Sequence, residues 1–383
     1  MITQIINIKN KYASESFQKN YPVSYKEESV PGLIIEFRNV YRELFSDLSQ
    51  LIKNLDQVKL LQNKDSGNIV LLFRSFSDLY SLRNVLVNLP SNIFLPDLLM
   101  KIDNYLNFNE KEFLLGNRKI KYNEPLIMGI LNVTPDSFSD GGKYFNPEFA
   151  VEHAIQLIED GADIIDVGGE STRPGAEIVS EVDELKRVIP VIQGIKRIKK
   201  DSIISIDTTK SKVAEESLNA GAEIINDISG LTFDEKISEL AAKHNAGVVI
   251  MHIKGDPKTM QVKPTYSDVT AEIYDHLYKQ TENAKSAGVK NIFIDPGIGF
   301  GKTIENNYEL ISRINDFKSL GYPILIGISR KSFLGKTLGL DVNDRDAATV
   351  VTEAISLMKG VSIIRTHNVK YAKQLKTIFE KLN

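Results

Sequence analysis

Eight short polar segments carry the residue types that could do chemistry in this 383-residue chain, and each follows an apolar run. Asn132 opens a stretch to Gly142 that contains two aspartates, three hydroxyls, Phe138 and a glycine pair. The others are Asp166–Gly175, Asp207–Lys210, Asn226–Asp227, Met251–His252, Asp295–Lys302, Ser329–Phe333 and Arg365–Asn368. Asp207, Asn226 and Asp295 make an acceptor-rich side, suited to a flat heterocycle bearing N–H donors. Asn132, Arg365 and His367, with helix N-termini nearby, suit an anionic phosphate. Lys331 can serve a carbonyl or ring nitrogen between the two. A donor-rich ring at one end and a phosphate at the other describes one class of substrate.

Taken singly, each segment has a plainer explanation. Asp207 or Asn368 can cap the following helix, Asn226 can satisfy a neighbouring backbone group, and His252 reads more readily as a buried, hydrogen-bonded histidine than as a catalyst. Gly301-Lys302-Thr303 is like the end of a phosphate-binding P-loop. That spacing needs glycine at 296, where the chain has Pro296, so the nucleotide-triphosphatase reading fails. The stretch to Gly142 is poor packing material and reads as a closing loop over something polar.

The elements that must bring these segments together follow a regular beat. Short apolar runs without alternation, the pattern of strands buried on both faces, are expected at Leu126–Leu131, Ile164–Val167, Ile203–Ile206, Glu223–Asn226, Val248–His252, Ile292–Ile294, Ile324–Ile326 and Val361–Ile364. Helical patterns lie between them at Pro147–Asp160, Glu181–Lys199, Lys210–Asn219, Asp234–Asn245, Ser267–Ala287, Glu305–Leu320 and Arg345–Lys359, with Val369–Leu382 last. Gly161, Gly221, Gly247 and Gly288 stand where a left-handed residue would end a helix. Eight strands and eight helices in about 260 residues is the count of a closed (β/α)8 TIM barrel, whose strand ends meet at one rim. A doubly wound open sheet has the same periodicity.

The first part of the chain differs. Only Gly32, Gly67 and Gly116 of the 24 glycines fall in residues 1–122. Helices are expected around Val40–Asn54, Ser77–Asn88 and Pro96–Phe108, with strands at Leu33–Phe37 and Ile69–Phe73, enough for a small α/β or α+β domain over residues 1–110. Nothing in it concentrates reactive groups. A hairpin of Glu112–Leu115 and Lys119–Tyr122, turning at Gly116-Asn117, opens the barrel portion, residues 111–383.

Composition removes several function classes. The chain is 42% apolar and 25% charged with net charge −3, so it offers no electrostatic footprint for nucleic acid or an anionic membrane. Without cysteine there is no disulfide, thiol catalysis or thiolate metal site. The five histidines lack metal-ligand spacing, and no apolar run is long enough to span a membrane. A cytoplasmic location is the expectation.

From about Phe113 onward the motifs resemble those of dihydropteroate synthase, the folate-pathway enzyme that sulfonamides inhibit. Met128–Gly142 resembles the family's first signature, Gly168–Gly175 its second, and the segments at 207–208, 226–227, 295–302, 329–333 and 365–367 match further motifs in order. The resemblance implies a (β/α)8 barrel, commonly a homodimer, that joins 6-hydroxymethyl-7,8-dihydropterin diphosphate to 4-aminobenzoate with Mg²⁺ and releases pyrophosphate. By motif, Asp207, Asn226, Asp295 and Lys331 would hold the pterin, with Met251 beside it. Asn132, Arg365 and His367 would grip the diphosphate, Asn132 also touching Mg²⁺. Thr172, Pro174, Phe300 and Ser332 would contribute to the aminobenzoate site under Phe138. Asp140 and Arg173 would stabilise a pterin cation. A pterin-binding methyltransferase module is the competing enzyme class. It should lack the Arg365–His367 pair, the Ser329–Phe333 segment and the Asp136–Gly142 loop, all of which are present. A silent paralogue kept for binding would have lost loop residues, yet Asp140, Thr172 and Arg173 are intact. Asn368 and Ile253-Lys254 are small departures from the family pattern. The resemblance says nothing about residues 1–110.

Overall fold

A computed structural model describes residues 1–21, 32–53, 55–89, 94–116, 118–134, 146–171, 179–257 and 259–382. They form two compact units. The first comprises Met1–Lys111 together with Asp268–Asp275 and Glu309–Gly321; the second comprises Glu112–Ser267, His276–Tyr308 and Tyr322–Asn383. A single cut near residue 110 therefore does not describe the first unit, which takes in two later stretches.

In the first unit, β1 (Ile2–Ile6), β2 (Leu33–Arg38), β3 (Lys59–Gln62) and β4 (Ile69–Phe73) form an antiparallel sheet in the order β1-β2-β4-β3. An antiparallel sheet flanked by helices is an α+β arrangement. Strand side chains alternate between faces, and both faces are covered. Ile5, Leu33, Ile35, Phe37, Ile69, Leu71 and Phe73 pack against Leu79, Leu82, Leu98 and Ile102. These helical residues belong to Phe76–Val87 and Leu95–Leu106. Ile6, Ile34, Val70 and Leu72 point the other way, toward Ala13 and Phe17 of helix Lys11–Asn20. Helix Phe76–Val87 starts on a reciprocal cap between Ser75 and Asp78, which satisfies otherwise orphaned amide hydrogens.

The two later stretches enter this unit through charge and hydrogen bonds. The Arg313 guanidinium, 1% exposed, reaches Asp316 at 2.9 Å, Glu309 at 2.8 Å and Asp268 at 3.2 Å. Arg38 pairs with Glu36 and with Asp275, each at 2.5 Å. The buried Tyr274 hydroxyl donates to the Thr3 carbonyl at 2.8 Å.

The second unit is a barrel. Its strands are β7 (Leu126–Asn132), β8 (Ile164–Gly168), β9 (Ile203–Asp207), β10 (Ile224–Asp227), β11 (Gly247–Met251), β12 (Asn291–Asp295), β13 (Leu325–Ile326) and β14 (Ile363–Thr366), after a hairpin of β5 (Glu112–Leu115) and β6 (Arg118–Lys121). All eight neighbours are parallel in the order β12-β11-β10-β9-β8-β7-β14-β13, and a bridge between Ile294 and Ile324 joins the two ends of that series. The open-sheet alternative is thereby excluded. Leu115 and Ile120 of the hairpin pack with Leu126, Ile164, Ile224 and Ile363, which begin or nearly begin their strands. The amino-terminal mouth is thus filled with apolar side chains, leaving the carboxyl ends for chemistry.

Gly161, Gly221 and Gly288 have φ of 110°, 112° and 95° and end helices as expected. Gly247 does not. It starts β11, where an added Cβ would stand 3.0 Å from the Phe293 ring, and the left-handed role passes to Asn245, whose short polar side chain tolerates it. Among the described residues no helix is long and apolar enough to cross a membrane.

Candidate active site

Register explains why distant residues meet at the rim. Asp207 ends β9 opposite Gly168 of β8 and beside Asn226 of β10; Met251 ends β11 opposite Asp295 of β12. Arg365 lies on β14, paired with β7. Its guanidinium reaches inward, donating from Nε to Asp166 Oδ2 at 2.6 Å and from Nη2 to Asp207 Oδ2 at 2.7 Å. Asn226 Nδ2 donates to the same Asp166 oxygen at 3.0 Å. Asp166, Asp207, Asn226 and Arg365 are one hydrogen-bonded group drawn from four strands.

Burial raises the Asp207 pKa to about 7; Arg365 opposes the shift and Asp166 adds to it. Asp295 is also pushed up by burial, although its Oδ1 accepts from the Gly297 amide at 2.7 Å and Lys331 favours its charge. Lys331 is lowered to about 7 by burial, with Asp295 and Asp207 working against that and Arg365 reinforcing it. A carboxyl and an amine held near neutrality at one rim, with a second carboxyl pushed up beside them, are a mark of sites that bind or convert polar ligands. The second Asp166 oxygen is buried with no hydrogen-bond partner among the described residues, an acceptor that a ligand's N–H or a water can satisfy.

Asn132 ends β7 at the same rim. Around the point a Gly168 Cβ would occupy stand Asp207 Cβ at 3.5 Å and Asn132 Oδ1 and Asp207 Oδ2 at 3.8 Å. His367 is half-buried and its Nδ1 lies 2.9 Å from Ser329 Oγ, which also accepts from the His367 amide at 3.1 Å. The Lys331 ammonium stands 3.9 Å from the Phe300 ring centre, within cation–π range. Met251 is buried and packs with Ile228, Ile253, Met260 and Phe300. Ser332 is exposed at the start of helix Ser332–Leu338.

The structure therefore brings together Asp207, Asn226, Asp295, Lys331 and Arg365, with Asn132, Met251, His367 and Phe300 around them. One expected division does not hold: Arg365 does not stand on a separate cationic side but is embedded in the acidic group, because its chain runs from β14 to carboxylates on β8 and β9. Phe138, Asp140, Thr172, Arg173 and Pro174 lie outside the described residues.

Sequence reasoning passed over several participants. Asp166 sits in the body of β8, and the clue was a lone carboxylate inside an otherwise apolar buried strand. Lys210 bridges Glu184 and Glu170, and Glu170 Oε1 accepts from the Val179 amide at 3.0 Å, so this ion group ties together the residues on either side of 172–178. Lys302, buried under the Gly297–Gly301 turn, was read only as part of its segment.

The fold and site are those of a barrel enzyme with carboxylates, an amide and two cations at its carboxyl rim, and a family profile for pterin binding enzymes matches residues 128–367. The dihydropteroate synthase of Clostridium beijerinckii is 47% identical over 267 residues, 69% of this chain and 94% of that protein. A Yersinia pestis dihydropteroate synthase solved with a sulfonamide drug complex superposes with a TM-score of 0.67 at 40% identity, covering 71% of this chain and 99% of that one. The Xanthomonas albilineans enzyme solved with 4-aminobenzoic acid gives 0.66 at 37% identity, with 71% and 97% covered. This chain belongs to the dihydropteroate synthase family.

Proposed function

We propose that this chain condenses 6-hydroxymethyl-7,8-dihydropterin diphosphate with 4-aminobenzoate to give 7,8-dihydropteroate and pyrophosphate. The observation that carries the reading is the convergence of Asp166, Asp207, Asn226, Asp295, Lys331 and Arg365 at one barrel rim. Asp207, Asn226 and Asp295 accept the N–H groups of the pterin ring, and Lys331 donates to its carbonyl or ring nitrogen. Met251 packs on the ring. Arg365, His367 and Asn132 hold the diphosphate.

The C–O bond between the pterin methylene and the diphosphate breaks, and its electron pair leaves with pyrophosphate. Cationic donors aimed at the departing oxygens lower this barrier. The electron-rich pterin delocalises the carbocation, with Asp140 and Arg173 assigned to stabilise it. The arylamine nitrogen then attacks the methylene carbon and loses a proton to water. It needs no strong base, because an arylamine is unprotonated at neutral pH. Thr172, Pro174, Phe300 and Ser332, beneath Phe138, form the aminobenzoate side in this reading, and exclusion of water there protects the cation.

Mg²⁺ is assigned to the rim beside Asn132: it binds oxygen, keeps several waters and takes few protein ligands when phosphates are present, and Asn132 would offer it the Oδ1 that stands at this rim near Gly168. When bound, Mg²⁺ supplies charge neutralisation of the diphosphate. A cytoplasmic homodimer belongs to the same reading. Support for the dimer comes from helix Asp346–Met358, which exposes Val351, Ile355 and Met358 on one face, beside Tyr371, Ile378 and Leu382 of helix Val369–Leu382. We assign residues 1–110 a role in stability or assembly, supported by the ion pairs and hydrogen bonds of the first unit.

The test is pyrophosphate release by the purified full chain with pterin diphosphate, 4-aminobenzoate and Mg²⁺. Turnover that requires both organic substrates is expected. Hydrolysis of the diphosphate at the same rate without the arylamine would refute the condensation.

A further inference from the structure

We infer that Lys302 is a positioning residue that joins the turn after β12 to the segment after β11 and thereby sets where Phe300 stands against Lys331. This rests on the reading of Phe300 as an aminobenzoate contact. Lys302 is 3% exposed, and among the described residues the partners of its Nζ are two carbonyl oxygens and a ring nitrogen, with no carboxylate. Its Nζ contacts the Phe300 carbonyl at 2.8 Å, the His252 carbonyl at 3.3 Å and His252 Nδ1 at 3.1 Å. Two of these partners are carbonyl oxygens, which can only accept, so the amine donates to both. With Nδ1 accepting, the His252 proton sits on Nε2. Burial, then the neighbouring Lys302, pushes the His252 pKa down, which agrees with a neutral ring. Burial likewise drives the Lys302 pKa well below the usual lysine range, with Asp295 opposing.

A buried amine without an ion pair is unfavourable in a low-dielectric interior, and nothing in the packing requires a polar atom there unless the turn itself must be held. The turn is shaped to admit it. Gly297 has φ of 70°, and a Cβ there would lie 1.9 Å from the His252 carbonyl oxygen, so the two segments touch backbone to backbone. Gly299, with φ of 85°, passes so close to the Lys331 stem that a Cβ would come to 2.8 Å. Three consecutive carbonyls are each held by a side chain: Gly299 by Gln261 at 2.8 Å, Phe300 by Lys302 and Gly301 by the Tyr266 hydroxyl at 2.7 Å. Gln261 is exposed and Tyr266 half-buried, so Lys302 supplies the buried hold of the three. The ring of the same residue meets Lys331. Removing the inner hold frees the Phe300 backbone and with it the ring. The effect should fall on the arylamine more than on the pterin, whose acceptors lie on β9, β10 and β12 and which shares only Lys331 with the Phe300 ring.

The experiment measures KM for each substrate, kcat and thermal midpoint for Lys302→Met, Lys302→Gln, Phe300→Ala and Lys302→Met/Phe300→Ala. Lys302→Met is expected to raise KM for 4-aminobenzoate about tenfold and KM for the pterin diphosphate less than about threefold. In the Phe300→Ala background the same substitution should add less than about twofold, because the two act through one contact. Lys302→Gln, which keeps an amide donor without a charge to bury, should fall between wild type and Lys302→Met, and it carries the test if Lys302→Met does not fold. Equal rises in both KM values, additive effects in the double variant, or a Gln variant no better than Met would overturn the inference. If Phe300→Ala raises KM for the arylamine while Lys302→Met does not, the inference alone falls. If Phe300→Ala leaves it unchanged, the assignment of Phe300 falls and takes the inference with it.

Discussion

Two arginines, Arg313 buried in the first unit and Arg365 half-buried in the second, are each surrounded by carboxylates, yet they belong to different kinds of chemistry. Arg313 is 1% exposed and is paired with Asp268, Glu309 and Asp316, two of which lie within four residues of it. Asp316 in turn accepts from the Asn7 amide at 3.2 Å. Arg365 is 20% exposed, and its partners lie 199 and 158 residues away on other strands. Beside it stand Lys331, held near neutrality, and an Asp166 oxygen with no partner among the described residues. A crowd of charges by itself identifies nothing. The site is distinguished by where its members sit, at strand ends on one rim, and by capacity left over for a ligand.

The sharpest way to break this contrast is to remove each guanidinium. Arg313→Ala leaves buried carboxylates unpaired and should lower unfolding free energy by about 3–5 kcal/mol in urea titration, while the folded fraction keeps its kinetics. Arg365→Ala should instead cut kcat/KM for pyrophosphate release by about 10³ or more, with a smaller loss of stability, because Arg365 is 20% exposed and water can enter the place it vacates. If Arg365→Ala destabilised more than Arg313→Ala, the distinction would be wrong.

Removing residues 1–110 is the next largest perturbation. It takes away Thr3, Asn7, Glu36 and Arg38, and so strips partners from Tyr274, Asp275 and Asp316. The shortened chain should unfold about 10 °C lower or more while keeping some turnover at low temperature. An unchanged midpoint in differential scanning fluorimetry would mean that these interactions contribute nothing.

A smaller effect concerns pH. Because burial raises Asp207 to about 7 in the folded protein, its proton is held more tightly than in the unfolded chain. The resulting stabilisation is complete below the unfolded carboxylate range and is lost as pH rises toward 7. Asp207→Asn, which cannot ionise, should therefore gain stability relative to wild type between pH 4 and pH 8. A difference that does not vary with pH would show that Asp207 is not strained by burial.

The same two regions differ in how much of them can be read from sequence. The barrel strands fall within about two residues of their expected places, because parallel strands buried on both faces leave uninterrupted apolar runs. Asp207, Asn226, Asp295, Lys331 and Arg365 were legible as residues just past or at the end of such runs. Asp166 is legible only as the first residue of its polar segment, without a role, since it lies within its strand, and Lys302 only as the end of a P-loop-like turn. Helix Ser332–Leu338 went unseen behind the polar residues before it. In the first unit, helix Lys11–Asn20 buries only Ala13 and Phe17, too few to set a period, and β3 is an edge strand without a buried residue. Strand β1 begins one residue into the chain and carries Thr3 and Gln4 buried, which breaks the apolar signal. Pairing between Arg313 and Asp268 depends on tertiary proximity and leaves no local trace.

The most direct test of the central claim, that acceptors at the barrel rim hold the pterin ring, is calorimetric titration of the pterin diphosphate into wild-type protein and into Asp207→Ala. We expect saturable binding to the wild type and a loss of about 10²-fold or more in affinity for the variant, at an unchanged far-ultraviolet circular dichroism spectrum. Equal affinity for the two proteins would contradict the claim.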